Sequence, residues 1–192
     1  IVNRLEETYQ IERVITFNNS KGNFRKLLDP NYKANRKKQE YPKLLFEMHE
    51  HIQEIYSTKS SYGIETDDLV ATYWKKLTDE LGHNNVIIVS LDKDYKQLPC
   101  LMYNYHYKHQ EIIDISPYEA LYNFYEQMIV GDSADNVNYC KGYGKAYAKK
   151  LFKDCNTHYQ FTKKTYELFK TIYKSKAKLK YIQCYNLLKL RT

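Results

Sequence analysis

Seven carboxylates lie in three short clusters along the middle of the chain. The clusters comprise Glu65, Asp67 and Asp68, then Asp92 and Asp94, then Asp132 and Asp135. Acidic side chains this close repel one another. A divalent cation removes that repulsion, and Mg²⁺ binds carboxylates together with water and substrate phosphate. Two such ions about 4 Å apart would hold the attacking and leaving oxygens of a phosphodiester during hydrolysis. The clusters therefore predict a metal site that cleaves phosphodiesters.

Each cluster also has an explanation that needs no metal. Asp67 and Asp68 fall in the first turn of a predicted helix, where the helix dipole favours acidic residues. Asp92 follows a predicted strand, and Asp132 and Asp135 lie in a turn-rich loop, where aspartate is common. The joint occurrence of all three clusters favours the metal site.

The charge distribution indicates a polyanionic partner. Residues 60–135 hold 5 Lys or Arg against 13 Asp or Glu, whereas residues 21–43 hold 8 against 2 and residues 141–180 hold 12 against 2. An acidic centre between two basic regions is typical of a protein that grips a nucleic acid at two places and cuts between them. The alternative is a solvated, lysine-rich surface.

Cysteine usage and hydropathy exclude other classes. The four cysteines form no Cys-x-x-Cys pair, which argues against a zinc site or a disulfide framework. We therefore expect buried or incidental thiols and a cytoplasmic location. No apolar run reaches the roughly 18 residues of a membrane span, so no membrane partner is predicted.

Periodicity predicts alternating strands and helices, and hence an α/β fold with an all-helical C-terminal third. Helices are predicted up to residue 10, after Pro42, from about Thr66, from Pro117 to about Val130, and over 145–152, 157–173 and 176–190. Strands are predicted over 14–17, 86–90, 101–107 and 111–115. Residues 86–90 are apolar and predict a central strand of a parallel sheet, ending just before Asp92. Ligands gather at such carboxyl ends.

Four segments, in order, resemble the 5′-nuclease superfamily, the flap endonucleases and 5′→3′ exonucleases of phages and bacteria. They are FR at 24–25 with YKANR at 32–36, GIETDD at 63–68, SLDKDYKQL at 90–98, and GDSADNV at 131–137 followed by KGYGKAYA at 141–148. One motif alone is weak evidence. Four motifs in the family order, across about residues 14–155, are strong evidence, because chance agreement explains them poorly.

The resemblance implies a PIN-like, mostly parallel sheet flanked by helices. It implies a nuclease core over residues 1–135, with a helical arch at about 26–62. A helical DNA-binding region with a helix–two-turn–helix element would follow over 136–192.

The resemblance also implies roles for the acidic residues. Glu65, Asp67 and Asp68 would serve a first metal, directly or through water, and Asp92, Asp94, Asp132 and Asp135 would hold a second. Both ions would be Mg²⁺, for which Mn²⁺ could substitute.

Further roles implied by the resemblance concern DNA. Lys33 and Arg36 would act catalytically at the phosphate near the cut. Arg25 would bind DNA at the base of the arch, and Tyr32 would stack on a base of threaded single-stranded DNA. Gly142 and Gly144 would let the backbone approach a phosphate, with K⁺ as a candidate bridge, and Lys145, Lys149 and Lys150 would grip the duplex. An ordinary solvated basic helix remains the alternative for Lys33 and Arg36, and a plain turn for the two glycines.

Two departures from the family pattern weaken the first metal site. The family begins with a strand that ends in a metal-binding Asp, whereas this chain starts at Ile1, so we expect a fragment or a diverged short form. Asn18 stands where the family has another Asp, and its amide offers a carbonyl oxygen without charge.

Three hypotheses follow. The first is a monomeric, metal-dependent 5′ nuclease that acts on branched or 5′-ended DNA, or on RNA–DNA hybrids, in replication or repair, plausibly in a phage. The second is a catalytically weak or inactive protein that binds DNA junctions on the same scaffold. The third is an RNase of the related PIN-like architecture.

Overall fold

Helices and short strands alternate through residues 2–18, 22–36 and 40–192, which this computed structural model describes. The helices are α1 Val2–Tyr9, α2 Arg25–Leu28, α3 Lys43–Ile55, α4 Thr66–Leu81, α5 Pro117–Val130, α6 Lys145–Leu151, α7 His158–Tyr173 and α8 Ala177–Leu188. The strands are β1 Ile15–Phe17, β2 Ser57–Lys59, β3 Ile87–Val89, β4 Leu101–Tyr103 and β5 Ile112–Asp114. Short 3₁₀ turns occupy His83–Asn85, Lys93–Gln97 and Lys174–Lys176. The predicted α/β class with a helical C-terminal third is confirmed.

The strands form two small sheets within the described residues. In the first sheet β1 pairs with β2 in parallel, and in the second β4 pairs in parallel with β3 and antiparallel with β5. The prediction that residues 86–90 form a central strand is wrong here, because β4 is the middle strand and Val89 of β3 is 43% exposed. An apolar run indicates a strand, but which strands lie beside it in the sheet depends on segments far away in sequence.

Strand β2 was not predicted from the sequence. Its residues are Ser57, Thr58 and Lys59, which lack the apolar character of a typical strand. Pairing with β1 stabilises it, and the Thr16 and Thr58 hydroxyls lie 2.7 Å apart across the pair. The strand falls inside residues 26–62, the range of the predicted arch. That range also holds α3, which buries none of its residues. The arch itself stays a prediction.

Two hydrophobic cores meet along α5. One surrounds the second sheet and includes Trp74, Ile88 and Met102. The other fills the C-terminal helices, and its largest members, such as Phe152 and Phe161, are fully buried. Because α5 contributes side chains to both cores, it joins the two predicted regions. The division after residue 135 stays a prediction.

Helix α5 also sets the position of the loop that carries Asp132 and Asp135. It begins at a capping box in which Ser116 and Glu119 exchange hydrogen bonds, with Pro117 as its first residue. It ends at Gly131, whose φ of +80° favours glycine. Among the helices of the described ranges, none is long and apolar enough to cross a bilayer.

Candidate active site

The first acidic cluster lies at the start of α4, and its members have different environments. Glu65 is the N-cap residue, with Asp67 and Asp68 in the first turn. Asp68 is fully buried, and the Arg25 guanidinium binds both of its carboxylate oxygens, at 2.5 and 2.8 Å. Both oxygens of Asp68 are thus paired with a buried cation in this arrangement, and its predicted service to the first metal, directly or through water, stays a prediction.

Arg25 is an internal counter-ion instead of a surface residue. It is 2% exposed, and its Nη1 also donates to Glu65 Oε2 at 2.9 Å. Its Nε and Nη2 donate to the main-chain carbonyls of Leu187 and Lys189. The predicted contact of Arg25 with DNA is wrong for this structure, because no part of the guanidinium faces solvent enough to meet a phosphate.

The second cluster follows β3 and opens a 3₁₀ turn. Asp92 caps the turn, and its Oδ1 accepts a hydrogen bond from the Asp94 main chain at 2.9 Å. Asp94 Oδ1 accepts from Gln127 Nε2 at 2.9 Å, and the same amide nitrogen lies 3.1 Å from Asp132 Oδ2. Gln127 thus links the second and third clusters. Sequence reasoning missed it, although its place one turn before Gly131 was a usable signal.

The third cluster is held by its own loop. Asp132 Oδ1 accepts from the main-chain N–H groups of Ala134, at 2.8 Å, and Asp135, at 3.3 Å. Lys93 Nζ lies 2.8 Å from Asp132 Oδ2, a contact the sequence argument missed. Burial would raise the pKa of Asp132, but the hydrogen bond and charge of Lys93 hold that pKa below its usual value. Asp132 therefore has a structural role besides any metal binding.

The segment that carries Tyr32, Lys33 and Arg36 joins the first cluster to the third. Lys33 Nζ pairs with Glu65 Oε1 and lies 3.6 Å from Asp135 Oδ1. Lys33 has a positive φ of 57°, and its N–H donates to the Asp135 carbonyl at 2.9 Å, which holds this uncommon conformation in place. Arg36 Nη2 donates to Asp135 Oδ1 at 2.7 Å, and its side chain is 55% exposed. The structure thus brings Lys33 and Arg36 to the acidic site, and their contact with a phosphate stays a prediction.

Tyr32 does not have the predicted environment. It is 3% exposed, and its hydroxyl lies 2.9 Å from Glu65 Oε2 and 2.7 Å from Asp135 Oδ2. The predicted stacking of Tyr32 on a base is wrong for this arrangement, because a buried ring has no free face. The hydroxyl instead holds two carboxylates of different clusters together.

Within the described ranges, three carboxylates of the site, Asp67, Asp92 and Asp94, have no cationic partner at hydrogen-bonding distance. Burial, with the neighbouring Asp92, raises the pKa of Asp67 to about 6. Burial, with Asp92 and Asp132, raises the pKa of Asp94 to about 7. Tyr95 donates a 3.4 Å hydrogen bond to Asp67, which relieves little of this charge. Burial is the largest cause of both raised pKa values, and repulsion from neighbouring carboxylates adds to it.

The oxygen atoms of these carboxylates are suitable ligands for a hard divalent cation. In this arrangement they do not form a complete set of metal ligands. Carboxylate oxygens are what Mg²⁺ and similar ions prefer. Among the described residues, however, no group of three His, Cys, Asp or Glu side chains is close enough together to hold a metal. Four basic side chains form ion pairs with part of the acidic set, namely Arg25, Lys33, Arg36 and Lys93.

Asn18 lies beside the first residue of α4, next to the first cluster. Its N–H donates to the Lys59 carbonyl at 3.0 Å, and its own carbonyl accepts from the Thr66 hydroxyl at 3.1 Å. The uncharged residue therefore stands at the start of α4. The expectation of a weakened first metal site stays a prediction.

The residues predicted to grip duplex DNA lie on and before α6. Gly142 has a φ of +90°, Gly144 precedes the first residue of the helix, and all of Lys145, Lys149 and Lys150 are exposed. Helix α6 packs on α5, so the basic face is tied to the element that carries Gln127. DNA contact by these residues stays a prediction.

Comparison with known proteins decides the family. The family described as "5′-3′ exonuclease, N-terminal resolvase-like domain" matches residues 1–124. This chain belongs to that exonuclease family. The resemblance to the 5′-nuclease superfamily is thereby confirmed. Comparison with curated proteins finds no match.

The fold of this exonuclease family member is similar to solved structures from bacteriophage T5. A T5 protein co-crystallised with metal ions has a TM-score of 0.71 at 20% identity, covering 98% of this chain and 80% of that chain. A T5 flap endonuclease in a pseudo-enzyme-product complex with DNA and metal ions has a TM-score of 0.62 at 15% identity, covering 97% and 88%. T5 5′-exonuclease with bound zinc has a TM-score of 0.62 at 16% identity, covering 98% and 89%. These likenesses show the PIN-like 5′-nuclease fold.

Substituting Gly131 by alanine is expected to destabilise this exonuclease family member by about 3 kcal/mol or more. A Cβ at Gly131 would lie 2.3 Å from the Val137 carbonyl oxygen, and φ is +80°. Gly142→Ala is the matched control, because its φ is +90° with no atom within 4 Å of the added Cβ. Gly142→Ala should lower the free energy of unfolding only by the cost of a positive φ in a residue with a Cβ, about 1–2 kcal/mol. Urea unfolding measures both, and equal losses would contradict the close contact at Gly131.

The metal-free protein is expected to lose stability as the pH rises. The carboxyls of Asp94 and Asp67 have folded-state pKa values of about 7 and about 6, raised from 3.8. A raised carboxyl pKa stabilises the fold at low pH, and that stabilisation is lost as the pH rises to the folded-state value. In EDTA, the melting temperature should therefore fall by several degrees from about pH 5 to about pH 8. Asp94→Asn should make the melting temperature depend less on pH. If the variant shows the same pH dependence as the unmodified protein, the raised pKa of Asp94 is contradicted.

Proposed function

We propose that this protein is a structure-specific, divalent-metal-dependent 5′ nuclease. It hydrolyses phosphodiester bonds in flap or 5′-ended DNA during replication or repair. The observation that carries the proposal is the meeting of three acidic clusters through shared donors. Lys33 and Tyr32 link Glu65 to Asp135, and Gln127 links Asp94 to Asp132.

The metal would be held by carboxylates that the protein's own cations do not fully neutralise. Asp92 and Asp94, with Asp132 and Asp135, would bind one Mg²⁺, for which Mn²⁺ could substitute. Asp67 and Glu65 would serve the other ion, at the first metal site. Binding there would be weakened by Asn18 and by the pairing of Asp68 with Arg25. Such ions ionise a water molecule and neutralise the scissile phosphate.

Lys33 and Arg36 would contact that phosphate. Their ion pairs with Glu65 and Asp135 place both cations at the edge of the acidic cluster. Lys33 is also pre-positioned by its main-chain hydrogen bond to Asp135. A fixed cation at the cleavage point stabilises charge that develops in the transition state without reorganisation.

The duplex would lie against α6, where Lys145, Lys149 and Lys150 are exposed. Gly142 and Gly144 would allow the backbone to meet a phosphate, with K⁺ as a candidate bridge. The protein would act as a monomer in the bacterial cytoplasm, plausibly encoded by a phage. RNA–DNA hybrid ends are a further substrate to test.

A second candidate is a DNA-junction-binding protein with little or no cleavage. Two observations favour it, namely Asn18 beside the first cluster and the engagement of Asp68, Glu65, Asp132 and Asp135 by basic side chains. In this case the basic residues would neutralise the acidic set permanently and no metal would enter.

The deciding experiment is cleavage of an end-labelled 5′-flap duplex in Mg²⁺ and in EDTA, with binding of the same duplex measured by fluorescence anisotropy in EDTA. A nuclease cuts near the junction only in Mg²⁺. A junction binder prefers the flap over a blunt duplex in EDTA but cuts neither in Mg²⁺ nor in Mn²⁺. An RNA flap of the same sequence tests the RNase alternative.

A further inference from the structure

The C-terminal segment, residues 187–191, is attached to the acidic site by its main chain. Helix α8 ends at Leu188, so the carbonyls of its last turn have no partners within the helix. Arg25 supplies one of the missing donors, through Nε to the Leu187 carbonyl at 2.9 Å, and its Nη2 donates to the carbonyl of Lys189, the residue after the helix, at 2.8 Å. A cation at this end also suits the helix dipole.

Gln97 supplies the next attachment. It is 4% exposed, its Nε2 donates to the Leu188 carbonyl at 3.0 Å, and its Oε1 accepts from the Leu190 N–H at 2.9 Å. Gln97 closes the 3₁₀ turn that begins with Lys93, directly after Asp92. The amide therefore fixes the far end of the turn that presents the second acidic cluster.

Asp68 supplies the last attachment. Its Oδ1 accepts from the Arg191 N–H at 3.0 Å, in addition to the bond from Arg25. The segment thus contacts three buried polar side chains, which come from the Phe-Arg motif, from the first acidic cluster and from the 3₁₀ turn of the second. All five residues of the segment take part through main-chain atoms.

These contacts couple the position of the segment to the geometry of the site. If residues 187–191 detached, Gln97, Asp68 and Arg25 would remain buried but lose hydrogen-bond partners. Burying a polar group without a partner is unfavourable, and burying a charged group without one is more so. The three side chains would then have to rearrange. The two acidic clusters would move with them, because Asp68 follows Asp67 and the turn that ends with Gln97 starts directly after Asp92.

We propose that residues 187–191 form a brace that positions the first two acidic clusters for metal binding, with Arg25 and Gln97 as positioning residues. This inference rests on the proposed nuclease function for its consequence, but the brace itself can be tested separately. Because the brace works through main-chain atoms, it depends on the path of the segment more than on its side chains.

The test compares Gln97→Glu with Gln183→Glu. The first substitution removes the amide donor to Leu188 and sets a carboxylate oxygen against the Leu188 carbonyl. Gln183 Nε2 donates in the same way to the Leu28 carbonyl at 2.9 Å, but at an exposed position, which makes it the matched control. Hydrogen exchange by mass spectrometry is measured on both variants, together with Mg²⁺ affinity by calorimetry and the kcat and KM of flap cleavage.

Gln97→Glu is expected to raise exchange about tenfold in residues 187–191 and also in 24–28 and 65–69, while 158–173 keeps its protection. Mg²⁺ affinity should fall about tenfold and kcat should fall with little change in KM for DNA. Gln183→Glu should leave exchange in 65–69 and 187–191, the Mg²⁺ affinity and kcat unchanged, and any rise in 24–28 should be limited to the surroundings of Leu28, whose carbonyl Gln183 contacts. If residues 187–191 open without any change in 24–28 and 65–69, or if exchange rises uniformly along the chain, the brace is refuted.

Native-state exchange of the unmodified protein in low denaturant provides a measurement that needs no variant. The amides of Leu190 and Arg191 should open together with those of residues 65–69, as one cooperative unit. Independent opening of the two segments would overturn the proposal. Absence of cleavage and of Mg²⁺ binding in the unmodified protein would contradict the proposed nuclease function, whereas the exchange result would still decide on the brace.

Discussion

Replacing Arg25 by methionine is expected to destabilise the protein by about 3–5 kcal/mol, the typical cost of removing one partner of a buried ion pair. Asp68 would remain fully buried with an uncompensated charge. The Leu187 and Lys189 carbonyls would also lose their donors. For a chain of this size the melting temperature should fall by roughly 6–20 °C. Urea and thermal unfolding measure the loss.

Arg36→Met is the matched control for this substitution. Its guanidinium also pairs with an aspartate, Asp135, but its side chain is 55% exposed. Solvent screens such a pair, so the loss should stay below about 1 kcal/mol. The double variant Arg25→Met, Asp68→Leu should recover part of the stability, because it removes both charges. A loss for Arg25→Met no larger than that for Arg36→Met would contradict the internal role of Arg25.

Replacing Asp94 by asparagine is expected to reduce Mg²⁺-dependent flap cleavage by about 10³-fold, because a lost metal ligand costs several kcal/mol of transition-state stabilisation. The asparagine carbonyl can still accept from Gln127, so the link to the third cluster is kept. Asp94 is therefore a cleaner target than Asp132, whose carboxylate also holds its own loop. Single-turnover cleavage of a labelled flap measures the effect.

DNA affinity in EDTA separates this loss from a loss of binding. Removing a negative charge should leave flap affinity unchanged or slightly higher, since phosphate and carboxylate repel each other. Asp114→Asn is the control, because Asp114 is an exposed carboxylate on β5 that pairs with His83. It should leave cleavage within about twofold of the unmodified protein, a barrier change well under 1 kcal/mol. If Asp94→Asn cuts as fast as the Asp114→Asn control, Asp94 is not a metal ligand.

The elements of the fold follow largely from local sequence. Ser116 and Pro117 predict the start of α5, and Gly131 its end, because capping and glycine conformations involve only a few neighbouring residues. The strand β2 could not be predicted in this way. Its polar residues adopt an extended form because β1 lies beside them, 42 residues away in sequence. The same dependence on distant neighbours made the central position of β3 wrong.

The candidate site divides along similar lines. The motifs predicted that the acidic clusters, Lys33 and Arg36 meet, and the structure brings them together. Local sequence did not predict the roles of Gln127, Lys93 and Gln97, since each depends on which distant polar group it meets. The DNA contacts predicted for Tyr32 and Arg25 were wrong because burial also depends on distant parts of the chain. Their types suit DNA contact, but packing buries both.

By itself, the sequence determined the α/β class, the order of most elements and the acidic chemistry of the centre, because periodicity, caps and charge spacing act over short distances. Only the tertiary structure decided which charges are buried and which partner neutralises each. Arg25 reaches Asp68 across 43 positions and the Leu187 carbonyl across 162. Such pairings depend on the packing of the whole chain, since a buried charge is tolerated only where a partner is brought to it.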